Sequence, residues 1–133
     1  MGRNHVKLLL DTHTFLWWDS EPARLSTTAL SACQDPSNIL ILSTVSVWEM
    51  QVKSQLGKLT LNLPLPDIIK GQQETNRIII LPMALEHVLE LQDLPPHHKD
   101  PFDRLLIAQA KVEEAVLVSH DSWFVNYPVR LLW

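Results

Sequence analysis

The stretch HHKDPFDRLLIAQA, residues 97–110, passes from loop to helix within a few positions. Asp100 suits an N-cap, and Pro101 suits the first turn, where its missing N–H leaves no bond unmade. From Phe102 onward, Leu105, Leu106, Ile107, Ala108 and Ala110 make the pattern apolar on nearly every side. Such a helix is packed in the interior rather than laid on a surface, and its expected span is residues 101–112. Yet its first turn carries two carboxylates, Asp100 and Asp103, three residues apart and so on one face. A helix N-terminus favours negative charge, so capping is one explanation. A metal ion is the other.

Working outward, short apolar runs of strand length fall at residues 6–10, 39–42, 77–81, 115–118 and 129–132. Each is apolar on both sides, as strands of a parallel sheet covered on two faces should be. Between them lie helical patterns at residues 12–18, 26–34, 44–56, 66–75 and from 82 or 83 to 91, with a helical turn at 122–126. Ser26 is the expected cap of the second helix and Ser43 or Thr44 that of the third, which Gly57 ends. Strands alternating with helices predict an α/β fold: a central parallel sheet of about five strands with helices on both faces, joined by right-handed crossovers. No repeat, low-complexity tract or long linker divides the 133 residues, so one domain spanning 1–133 is expected.

The composition excludes several classes. Hydrophobic residues make up 46% and charged residues 20%, ordinary proportions for a globular domain. The net charge of −4 argues against a broad basic face, although a local patch is compatible with it. Cys33 is the single cysteine, which leaves neither a disulfide framework nor a cysteine zinc site. No stretch approaches the roughly 18–20 apolar residues of a membrane span, and MGRNHVKLLLD is no signal peptide. A reducing, cytoplasmic setting is the expectation.

In an open parallel sheet, ligands bind beyond the carboxyl ends of the strands. Asp11 directly follows the first strand, and Asp121 is third after the fourth. Asp100 and Asp103 open the helix that leads into the fourth strand, and Glu49 lies on the helix after the second, its side chain tilted back towards the N-terminus. Four or five carboxylates therefore converge on one rim. A hard divalent cation would relieve their repulsion, and all-oxygen ligation selects Mg²⁺ or Mn²⁺. Each acid also has a purely structural alternative. Asp100 can be a cap alone, Asp11 and Asp121 can be turn acids, and Glu49 can close a capping box with Ser46 or pair with Lys53. Thr12 and Ser119 are placed to orient a carboxylate or a bound water as supporting donors. His13, His97, His98 and His120 flank the acids without any metal-binding spacing. Trp17 and Trp18 cannot both point inward from one helix, so one is a partner-contact candidate. Trp48 and Trp123 are expected in or near the core.

Taken together, LLLDTHTFLWW, SVWEM, HKDPFDRLLIAQA and VSHDSWF, in that order and spacing from residue 8 to residue 132, resemble the PIN domain. More specifically, they resemble its VapC-like toxin branch of type II toxin–antitoxin systems. The resemblance implies a three-layer α/β/α fold and a Mg²⁺- or Mn²⁺-dependent ribonuclease. It also implies a homodimer silenced by a cognate antitoxin. By motif, Asp11, Glu49, Asp103 and Asp121 match the family's acid quartet. Asp100 belongs to the D-P-F-D-R variant, and Ser119 stands where threonine is also found.

The expected activity is hydrolysis of RNA phosphodiester bonds, with one or two ions held by the quartet. Arg104, Lys99 and Lys53 are candidates to hold the RNA backbone. The alternatives are a non-catalytic binding module of the same fold and a metal-dependent phosphatase. The latter would want a second acid two residues after Asp11, where this chain has His13.

Overall fold

The computed structural model describes residues 6–96 and 100–133. In chain order the elements are β1 (Lys7–Leu10), α1 (Thr12–Ser20), α2 (Thr27–Gln34), β2 (Ile39–Ser43), α3 (Thr44–Gln55), α4 (Leu65–Asn76), β3 (Ile79–Leu81), α5 (Leu85–Glu90), α6 (Pro101–Val112), β4 (Val116–Val118) and β5 (Arg130–Leu132). Short 3₁₀ turns at Pro22–Arg24, Leu91–Asp93 and Ser122–Asn126 complete the set. The five strands form one sheet in the order β3-β2-β1-β4-β5, every neighbouring pair parallel.

Alternation along the strands builds two cores. Leu8, Leu10, Leu40, Leu42, Val116 and Val118 face one side, where Phe15, Ala29, Cys33, Met50 and Ile68 from α1 to α4 cover them. Leu9, Ile41 and Leu117 face the other, against Leu106, Ile107, Ala108 and Ala110 of α6. Burying each such leucine contributes roughly 1.5–3 kcal/mol. The result is the expected three-layer α/β/α arrangement. The long buried helix also follows expectation: residues 106–110 are all buried, and Asp100 caps it by accepting from Phe102 N at 2.9 Å and Asp103 N at 3.3 Å.

Topology fixes where a site can form. From β1 the chain goes out through β2 to β3, then returns through α6 to β4 on the other side of β1. The reversal lies between the carboxyl ends of β1 and β4, the kind of switch point where such sheets bind ligands. There, Asp11 N–H donates to Val118 O at 3.2 Å, carrying the ladder one residue beyond β1.

Several local expectations need correction. Trp48 and Trp123 are not core residues; they are 56% and 51% exposed. Trp48 lies on the outer face of α3 with its ring edge-on to Phe102, the centroids 4.9 Å apart. The third strand starts at Ile79, because Arg77 adopts a left-handed conformation (φ 55°) to end α4. The fifth helix starts at Leu85 rather than at residue 82 or 83. Met83 N–H donates to Thr44 Oγ1 at 3.1 Å, and Ala84 is extended. Ser46 closes no capping box with Glu49, since Ser43 caps α3 and accepts from Val45 N at 2.9 Å, leaving Ser46 inside the helix. Among the described residues, no helix is long and apolar enough to cross a membrane.

Candidate active site

At the carboxyl edge, Asp11, Glu49, Asp100, Asp103 and Asp121 line one cavity of about 580 Å³. They come from the end of β1, from α3, from the cap and first turn of α6, and from the turn after β4. Asp11 and Glu49 are the deep members, 8% and 4% exposed. His13, Thr14, Trp17, His120, Ser122 and Trp123 also line the cavity.

Asp11 is held by its own segment and by β4. Its Oδ1 accepts from Thr14 N at 2.8 Å, which makes it the N-cap of α1. Its Oδ2 accepts from Ser119 Oγ in a short hydrogen bond. Ser119 Oγ in turn accepts from Asp121 N–H at 3.0 Å, so one hydroxyl links the two strand-end acids. Burial pushes the Asp11 carboxyl above its ordinary range, and the bonds from Ser119 and Thr14 and the nearby His13 offset this only in part. Asp121 Oδ1 caps the following 3₁₀ turn by accepting from Trp123 N at 3.0 Å.

Glu49 is held differently. Its Oε1 accepts from Thr12 Oγ1 at 2.6 Å, and its Oε2 meets Lys53 Nζ at 2.5 Å, one turn along α3. The ion pair with Lys53 named from sequence is therefore present. Burial of Lys53 opposes its charge, but the bond to Glu49 and the charges of Glu49, Asp100 and Asp103 outweigh this and raise its pKa. Lys53 is the one lysine or arginine among the described residues lining the cavity.

The remaining sequence candidates separate. Thr12 and Ser119 each donate to an acid. Arg104 does not line the cavity. Its guanidinium turns to Pro95 O at 2.9 Å and Leu91 O and Tyr127 Oη at 3.4 Å, closing the loop ahead of α6. Lys99, with His97 and His98, lies outside the described residues. The rim aromatics Trp17 and Trp123 were not singled out as site residues in the sequence. Their signal there is only position, since each follows a strand-end acid within a few residues. Trp17 packs against His120 and Trp133, at 6.4 and 6.0 Å between ring centroids, and under Arg24. Trp18 Nε1 donates to Gln72 Oε1 at 3.0 Å.

The donors around the cavity suit a hard divalent cation. They are mostly carboxylate and hydroxyl oxygens, with the imidazoles of His13 and His120 beside them and no thiolate. Thr14 Oγ1, buried on the same wall, has no hydrogen-bond partner. No three of these acids bring oxygens within 4.8 Å of one another, and that spread limits their repulsion. The closer cluster among the described residues is elsewhere, formed by Glu86, His87 and Glu113. There the buried His87 Nδ1 accepts from Ala84 N–H at 2.9 Å, so the ring proton sits on Nε2, 2.9 Å from Glu113 Oε2. A metal on Nε2 would have to displace the ring's last proton, so this cluster reads as a strut between α5 and α6.

The PIN domain family model matches residues 8–129. The chain is 29% identical over 115 residues to Ribonuclease VapC22 of Mycobacterium tuberculosis, covering 86% of each chain. Its fold is similar to that of VapBC2 from Rickettsia felis bound to a promoter DNA fragment, with a TM-score of 0.70 at 14% identity over 96% of this chain and 98% of that one. A toxin–antitoxin complex from Klebsiella pneumoniae gives a TM-score of 0.60 at 12% identity, covering 95% and 96%.

Proposed function

The chain belongs to the PIN domain family, and from that premise we propose that it is a divalent-metal-dependent endoribonuclease, the toxin of a toxin–antitoxin pair acting in the cytoplasm. The observation that carries the reading is the convergence of five carboxylates from four segments on one cavity, at the switch point of the sheet. The similarity to a relative named as a ribonuclease supports the chemistry. The likeness to a toxin–antitoxin complex motivates the antitoxin as partner.

The acid quartet Asp11, Glu49, Asp103 and Asp121 would supply the negative charge that draws Mg²⁺ or Mn²⁺ into the cavity. A bound ion supplies positive charge to the scissile phosphate and lowers the pKa of the attacking water. The chain's own residues do the positioning. Ser119 and the Thr14 amide fix both oxygens of Asp11, and Thr12 fixes Glu49. Asp100 sets the turn that presents Asp103. Trp17 and Trp123 form the aromatic part of the cavity wall. No side-chain nucleophile is required. With a net charge of −4 and Lys53 as the one lysine or arginine on the cavity wall among the described residues, RNA binding rests on the ion more than on a basic surface.

The test is cleavage of RNA with Mg²⁺ or Mn²⁺ against EDTA, for the wild type, Asp11→Asn and Asp103→Asn. Cleavage should stop with EDTA and fall roughly a hundredfold or more in each variant, the upper end of what loss of an ion's supporting groups costs. Undiminished cleavage by both variants would overturn the assignment. Pull-down with the product of the neighbouring reading frame tests the antitoxin. Light scattering tests the homodimer, which is proposed from family resemblance alone.

A further inference from the structure

We propose that Lys53 stands where a second divalent cation would otherwise sit, so that the site takes up one ion rather than two. The inference rests on the metal-dependent reading above and deepens it.

The cavity's acids fall into two halves with different compensation. Among the described residues, the hydrogen bonds to the carboxylates of Asp11 and Asp121 come from neutral donors, the Ser119 hydroxyl and backbone amides. These orient a carboxylate without cancelling its charge. Glu49 instead has a neutral donor on one oxygen and an ammonium on the other. An exposed i,i+4 pair of this kind would contribute only about 0.3–0.5 kcal/mol. The Glu49 side chain, however, is 5% exposed, so its charge has little water to meet it and depends on Lys53. Removing one partner of such a pair leaves an uncompensated buried charge.

The backbone of α3 holds Lys53 one turn from Glu49, which keeps its ammonium within reach of that carboxylate. A second divalent ion reaching Glu49 must displace a tethered cation and also shed part of its own water, which Mg²⁺ does reluctantly. Among the described residues, no lysine or arginine pairs with Asp11 or Asp121, so an ion entering on that side displaces none of them. The asymmetry predicts one strong site on the Asp11 side and a cation-filled position at Glu49.

Counting Mn²⁺ bound per chain tests this, by titration calorimetry and by the spin-resonance signal of free Mn²⁺. The wild type should bind one ion. Lys53→Met should acquire a second ion, its affinity at least tenfold above any second site in the wild type, whereas Lys53→Arg should stay at one. Lys53→Gln serves the same comparison if Lys53→Met does not fold. Two ions of comparable affinity in the wild type, or a count of one in both uncharged variants, would overturn the proposal and leave the metal-dependent reading intact. No Mn²⁺ bound by the wild type would overturn both.

Discussion

Asp11 closes a strand, caps a helix and lines the cavity, and the three roles need the same side chain. Its backbone extends the β1–β4 ladder, Oδ1 takes the free amide of Thr14, and Oδ2 takes the Ser119 hydroxyl. Because Ser119 also accepts from Asp121 N–H, its hydroxyl proton is committed to Asp11, which fixes that carboxylate's orientation. Ser119→Ala should therefore weaken Mn²⁺ binding about 10–100-fold, while Ser119→Thr restores it, as titration of each variant would show. Cys33 makes the opposite case, a reactive group kept silent. Burial raises its thiol from an ordinary 9.0 to about 11, so at pH 8 only about one molecule in a thousand carries the thiolate. The native protein should resist thiol reagents at pH 8 and react fully once unfolded. The sign of the linkage follows: the neutral thiol favours the fold below pH 9.0, and that contribution is lost as pH rises through about 11.

At the scale of elements, α6 shows why some boundaries can be read and others cannot. Its start is written locally, as a capping acid followed by proline, and the structure begins the helix at Pro101. Asp100→Ala should cost about 1 kcal/mol, a fall of about 3–5 °C in melting temperature, and Asp100→Ser should recover most of it. Metal affinity measured on the same two variants then separates the cap from a ligand, since serine restores the first and not the second. The strands were legible for a related reason, because cover on both faces makes β4 apolar throughout and β1 and β2 apolar but for Lys7 and Ser43 at their ends. The misplaced start of β3 follows from the left-handed Arg77, and that of α5 from one distant partner and one near one. Thr44 takes the Met83 amide, and His87 takes the Ala84 amide, so a proline signal at residue 82 opens no helix. Trp48 and Trp123 went astray because hydrophobicity alone does not tell a core aromatic from an exposed one. The convergence of the acids was legible because strand ends in a parallel sheet share an edge. The loss of Arg104 to the Pro95 loop was not, since it requires knowing where that loop lies.

For the whole molecule, the strand order places a buried carboxyl at the centre of the sheet, and stability and function then pull in opposite directions. Asp11 ends the central strand and is 8% exposed, with a pKa raised chiefly by burial. A carboxyl whose pKa is higher folded than unfolded favours the fold only while protonated. That contribution is complete below its ordinary value of 3.8 and is lost as pH rises through the raised value. Ionising Asp11 is therefore a cost in the metal-free protein and a benefit once a cation is bound. Asp11→Asn should melt at or above the wild type in EDTA. In Mn²⁺ the order should invert. An ion at 100 times its dissociation constant stabilises the wild type by about 2.7 kcal/mol, a rise of about 10 °C for a chain of this length, whereas Asp11→Asn should rise by much less. Thermal melts of both proteins in EDTA and in Mn²⁺ measure this crossing. A domain that only binds partners through this fold would show parallel curves in the two conditions. A crossing identifies Asp11 as a residue kept for its charge at the expense of the fold.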